Sequence, residues 1–84
     1  MKLLVKYFAS VREAVGTGQE LLDTPATSAS ALRDELIARG GVWATSLARG
    51  RAVRIAVDQV LQRDESAPLH EGAEVAFFPP VTGG

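Results

Sequence analysis

The chain has 84 residues, 46% of them apolar and 23% charged, with nine basic side chains against ten acidic ones and a formal net charge of −1. That is one domain's worth of sequence with enough apolar material for a core, which excludes a two-domain protein and a disordered one. A balanced charge without a basic stripe argues against a nucleic-acid partner, and the absence of cysteine removes disulfides, thiolate metal sites and cysteine nucleophiles together.

The start, Met1-Lys2-Leu3-Leu4-Val5-Lys6, is broken by Lys6 and lacks the long apolar region and small-residue cleavage site of a signal peptide. No run approaches the ~20 apolar residues that span a bilayer. A soluble, cytoplasmic protein without a membrane partner is expected.

Taken in order, Lys2–Phe8 alternates as a strand, with Leu3, Val5 and Tyr7 on one face and Lys2, Leu4, Lys6 and Phe8 on the other. Ala9–Val15 is a short helical turn ended by Gly16-Thr17-Gly18, and a second strand, Gln19–Asp23, breaks at Thr24-Pro25. Ser28 is the N-cap of the main helix, in which Ala29, Leu32, Leu36 and Ile37 recur at near-helical spacing. Arg33, Asp34, Glu35 and Arg39 are expected on or beside its wet face, and Gly40-Gly41 as its stop. Trp43–Leu47 reads as another helical piece with Trp43 and Leu47 turned inward.

Ala52–Val57 is rich in β-branched residues and forms a strand with Val53, Ile55 and Val57 on one face. Val60-Leu61-Gln62 adds a short partner across a tight turn at Asp58-Gln59. Pro68–Gly72 is a turn. Ala73–Phe78 is the last strand, Val75 and Phe77 facing opposite to Ala76 and Phe78. The order gives an α+β fold: a mixed five-stranded sheet, or four strands plus a short edge strand, packed against one main helix. This is a β-grasp layout, with the domain over residues 1–79 and a tail over residues 80–84.

Few residues could carry chemistry within the domain. His70 reads as an exposed loop histidine, and Asp64-Glu65 beside Arg63 as a solvated loop, because no further carboxylate or histidine lies at ligand spacing. Gly16-Thr17-Gly18 lacks the remaining glycine of a dinucleotide fingerprint and the Lys-Ser/Thr of a phosphate cradle. No bound metal or cofactor is expected.

The tail is more specific. Pro79-Pro80 favours an extended, stiff exit, and Pro80 to Gly84 can reach roughly 17 Å. That length threads a terminal group into another protein's site, and Gly83 and Gly84 fit a narrow channel because they have no side chains. The alternation also leaves Phe8 and Phe78 pointing away from the helix on neighbouring strands, beside the root of the tail. Such a cluster marks a partner surface, with Arg12 and Leu61 at its rim.

These residues resemble a family. Phe77-Phe78-Pro79-Pro80-Val81-Thr82-Gly83-Gly84 is similar to the tail of the small, sulfur carrier subunit of molybdopterin synthase, a ubiquitin-like protein. Tyr7-Phe8-Ala9-Ser10-Val11-Arg12-Glu13 resembles the family's first strand and helical turn. Ala31-Leu32-Arg33, Val57-Asp58-Gln59, Pro68-Leu69 and Gly72-Ala73-Glu74-Val75-Ala76 extend the likeness over nearly the whole chain. Asp58 departs from it, standing where the family has asparagine.

The resemblance implies that an E1-like adenylating enzyme uses ATP to turn the Gly84 carboxylate into a glycyl adenylate. Sulfur from a persulfide donor then makes it a thiocarboxylate. It implies delivery into the large synthase subunit, where sulfur is transferred to a cyclic pyranopterin precursor to build the dithiolene of molybdopterin. Gly84 would be the sulfur donor, Gly83, Thr82 and Val81 the guides of the tail, and Phe8, Phe78, Arg12 and Leu61 the docking residues. Alone, the chain would be non-catalytic. The alternatives are a carrier for thiamin, cysteine or tRNA thiolation, and a ubiquitin-like modifier joined to proteins through Gly84.

Overall fold

The computed structural model describes residues 1–80. Its elements are β1 (Lys2–Tyr7), α1 (Ala9–Val15), β2 (Gln19–Asp23), α2 (Ala29–Ile37), α3 (Gly41–Leu47), β3 (Arg54–Val57), β4 (Val60–Gln62) and β5 (Glu74–Phe78). The strands make one five-stranded sheet in the order β2-β1-β5-β3-β4. β1 and β5 run parallel at its centre, with Val5 beside Val75 and Tyr7 beside Phe77, and every other pair is antiparallel. First and last strands are neighbours, as the β-grasp reading requires.

Alternation along each strand decides which face is buried. Leu3, Val5 and Tyr7 are at most 1% exposed, and the paired residues Val75, Phe77 and Ile55 share their face and their burial. Ala29, Leu32 and Leu36 of α2 and Leu47 of α3 close the core from above with no exposure at all. Each such leucine contributes about 1.5–3 kcal/mol by leaving water. The Ser28 hydroxyl accepts the Ala31 N–H at 3.1 Å, the N-cap expected from the sequence.

Arg33 does not lie on the wet face. It falls four residues after Ala29 and three before Leu36, inside the apolar stripe, and is 2% exposed. Its guanidinium is satisfied there: Nε donates to the Leu47 carbonyl at 2.7 Å, Nη2 to the Ala48 carbonyl at 2.8 Å and Nη1 to Glu65 at 2.7 Å. Glu65 is therefore a structural anchor rather than a solvated loop residue. It also pairs with Arg49, which donates to the Ser30 carbonyl at 2.9 Å and to Asp34 at 2.7 Å.

Gly40-Gly41 does not stop α2 either. The helix ends at Ile37 and its cap, Ala38, keeps a right-handed conformation. Gly40, at φ 76°, is instead the residue that launches α3, and Gly41, at φ 54°, opens it. Both angles lie in the left-handed region that glycine enters without strain. Asp58 and Gln59, with φ of 51° and 69°, form the two-residue turn between β3 and β4, and two positive angles make it a type I′ turn.

Candidate functional site

Among the described residues no helix lies over the opposite face of the sheet. Cross-strand register builds it in rows: Leu21, Leu4 and Glu74 in one, and Lys6, Ala76, Ala56 and Leu61 in the next. In the third, Phe78 pairs with Arg54, and the Phe8 N–H, just past the end of β1, donates to the Phe77 carbonyl at 3.0 Å. Lys6 Nζ and Glu74 Oε1, 3.1 Å apart, neutralise one another in the middle. Ala76 faces outward as alternation demands, yet it is only 7% exposed, its small side chain flanked by Lys6 and Ala56 in the central strand.

The four residues singled out for docking converge on this side. Phe8 is 45% exposed and Leu61 54%, while Phe78 is half-buried. Leu61 and Phe78 line a shallow cleft of ≈ 610 Å³ together with Arg54, Arg63 and Pro80. Arg12, exposed on α1, shares a hollow with Phe8, Lys6 and Gly18, its Nε lying 3.2 Å from where a Gly18 Cβ would stand. Ala9, at φ 50°, makes the sharp left-handed step from Phe8 into α1. Pro79 and Pro80 leave the end of β5 beside the cleft. Val81, Thr82, Gly83 and Gly84 lie outside the described residues.

Arg54 and Arg63 were not among the expected site residues. Strand alternation carried the signal for Arg54, because a residue next to inward-facing Ile55 must face outward. Leu21, 82% exposed on edge strand β2, was missed likewise, although Leu4 beside it was read as outward.

Away from the cleft, His70 is exposed, as expected, but not alone: its Nε2 lies 2.6 Å from Asp58 Oδ2. That carboxylate raises the imidazole above its ordinary range. The Glu74 N–H, donating to Asp58 at 3.0 Å, and then His70 hold the Asp58 carboxyl below its own. Among the described residues no group of three or more histidines, aspartates and glutamates is placed to hold a metal ion. No helix among them is long and apolar enough to cross a membrane.

Parallel central strands, helices on one face and a terminal segment leaving beside the open face define a ubiquitin-like β-grasp domain. A likeness to solved structures supports that class. SAMP1 from Haloferax volcanii superposes with a TM-score of 0.77 at 19% identity, and 100% of each chain is covered. In the complex of subunits 1 and 2 of molybdopterin-converting factor from Helicobacter pylori, the matching chain superposes at 0.71 with 23% identity, again over 100% of both. The chain belongs to the ThiS family, whose model matches residues 5–84. It is similar to two proteins named molybdopterin synthase sulfur carrier subunit. The one from Haemophilus influenzae is 42% identical over 98% of this chain and 99% of its own length. The one from Escherichia coli K12 is 44% identical over 95% and 96%.

Proposed function

We propose that the chain is a sulfur carrier subunit of molybdopterin synthase and that its working group is the Gly84 carboxyl. The observation that carries this reading is identity above 40%, nearly end to end, to two proteins of that name. The stiff Pro79-Pro80 exit beside an open face supports it.

A carboxylate cannot expel oxide, so it must first be activated. An E1-like adenylating enzyme joins the Gly84 carboxylate to AMP at the expense of ATP, with release of diphosphate. AMP is a good leaving group: the terminal sulfur of a persulfide donor displaces it to form an acyl disulfide, and a thiol then cleaves the S–S bond, releasing the thiocarboxylate and leaving a disulfide on the donor. With no cysteine in the chain, the carbonyl carbon of Gly84 is where this protein can hold that sulfur covalently. The tail then enters the large synthase subunit and donates sulfur to the cyclic pyranopterin precursor, two rounds completing the dithiolene. Gly83, Thr82 and Val81 guide the tail, and Phe8, Phe78, Leu61 and Arg12 seat the domain. The complex of subunits 1 and 2 of the Helicobacter pylori factor supports a large-subunit partner of this kind. ATP is bound by the activating enzyme rather than by this chain, and the cytoplasm is the compartment proposed for the reaction.

The test is the intact mass after incubation with ATP, the activating enzyme and a persulfide donor. Exchange of one oxygen for sulfur on the C-terminal peptide is expected. An unchanged mass, with an enzyme that activates a known carrier in parallel, overturns the reading.

A further inference from the structure

We infer that Arg54 and Arg63 form a two-arginine clamp for an acidic segment of the large synthase subunit; this rests on the function proposed above. The β3–β4 register pairs Ile55 with Gln62, so Arg54 precedes and Arg63 follows the last pair of this hairpin, and both line the cleft floored by Leu61, Phe78 and Pro80. Both are exposed. Two like charges lining one cleft repel, so they call for a compensating anion.

The chain itself does not supply one among the described residues, where neither guanidinium lies within ion-pair distance of a carboxylate. The nearby acids are engaged elsewhere: Asp64 Oδ1 accepts the Ser66 N–H at 2.9 Å, Glu65 holds Arg33 and Arg49, and Glu74 holds Lys6. The net charge of −1 makes this concentration local rather than a general property of the chain. Arg51, on the loop before β3, lines the hollow on the other side of Pro79, so positive charge flanks the point where the tail departs. An acidic segment laid over the cleft would meet both forks bidentately while its apolar side chains covered Leu61 and Phe78. The pair thus supplies orientation and association rate around the apolar contact, the usual role of charges at an interface rim.

The decisive variant is Arg63→Glu in the full chain, because it should separate stability from binding. Sharing the cleft with Arg54, the new carboxylate turns a repulsion into an attraction, and the melting temperature is expected to rise by about 2 °C. Binding to the purified large subunit is expected to weaken about tenfold at ~50 mM salt, mostly in the association rate, with the difference shrinking at ~300 mM. Arg54→Ala/Arg63→Ala should show the same loss without the rise in melting temperature. Thiocarboxylate formation by the activating enzyme should be unchanged in both. Wild-type affinity and salt dependence in the double variant overturn the clamp. A loss confined to the activating enzyme overturns its assignment to the large subunit. If the wild type itself gains no sulfur and binds no large subunit, the functional reading falls and the clamp falls with it.

Discussion

Arg33 shows how much one side chain decides in a domain this small. Its guanidinium satisfies the Leu47 and Ala48 carbonyls and the Glu65 carboxylate at once. Removing one member of a buried, charge-assisted set leaves the others desolvated and unpaired. Arg33→Ala is expected to cost about 3 kcal/mol of stability, read from chemical denaturation. A loss below about 0.5 kcal/mol would show that water replaces the guanidinium and that the tie is incidental. His70 and Asp58 are the opposite case, a pair at the surface. His70 has its imidazole raised from the ordinary 6.5 by Asp58, so its contribution is complete below that value and is lost as pH rises through the raised one. Asp58→Asn removes the charge while keeping a residue that tolerates the positive φ of the turn. The His70 resonances in an NMR titration should then fall back toward 6.5. An unchanged titration would mean that the Glu71 carbonyl, 2.9 Å from Nδ1, sets it instead.

The elements meet through Tyr7. Its ring lies edge-on to Trp43 at 5.3 Å and stacks on Phe77 at 6.2 Å, and its hydroxyl donates to Glu20 at 2.8 Å. Arg39 grips both Glu20 oxygens at 2.9 Å and lies over the Trp43 ring at 4.4 Å. This chain of contacts joins β1, β2, β5, α3 and the segment after α2. Burial, and then the Glu20 hydrogen bond, push the Tyr7 phenol far above its ordinary range, so it stays a donor at any pH of interest. Glu20 has its carboxyl lowered from 4.5, chiefly by Arg39, so its stabilising effect is complete above that value and is lost as pH falls through the lowered one. Glu20→Gln should therefore melt below the wild type at about pH 7, with the gap closing as pH falls below 4.5 through the lowered value. A gap that stays constant with pH would place the effect in packing. Period-two alternation showed the strands β1 and β5 plainly, and the Ser28 cap with its apolar repeat showed α2. Alternation could not show that Arg33 is buried, since a single arginine in an apolar stripe reads as wet until its partners are known. Nor could it show Gly40-Gly41 as the start of α3, because two glycines end one helix as readily as they begin the next. Ala9 carries no sign in its side chain of the left-handed step it makes.

At the scale of the whole molecule the two faces of the sheet divide the work. One face, under α2 and α3, holds the domain together; the other is left bare beside the point where the tail departs. Phe8 and Phe78 were legible as members of the bare face, with Leu61 read at its rim, because outward-pointing apolar residues on neighbouring strands break the rule that apolar side chains go in. Their basic flank at Arg54 and Arg63 was harder to see, since an outward arginine obeys that rule and raises no question. Phe77 and Phe78 test the division directly, being neighbours in sequence on opposite faces. Phe77 is wholly buried against Tyr7, and placing a carboxylate there strands a charge in the core. Phe77→Asp is expected to abolish the cooperative melt. Phe78 is half-buried on the open face beside Arg54, where a carboxylate can reach water and meet a guanidinium. Phe78→Asp should keep the wild-type circular dichroism spectrum and lose no more than about 1 kcal/mol of stability. Under the proposed function, its affinity for the large subunit should drop by about tenfold or more, the scale of a lost apolar anchor. Unfolding of both variants would make Phe78 part of the core and the bare face too narrow to dock a partner. Folding of both would mean that the Phe77 position tolerates a carboxylate and that the two faces do not differ as described.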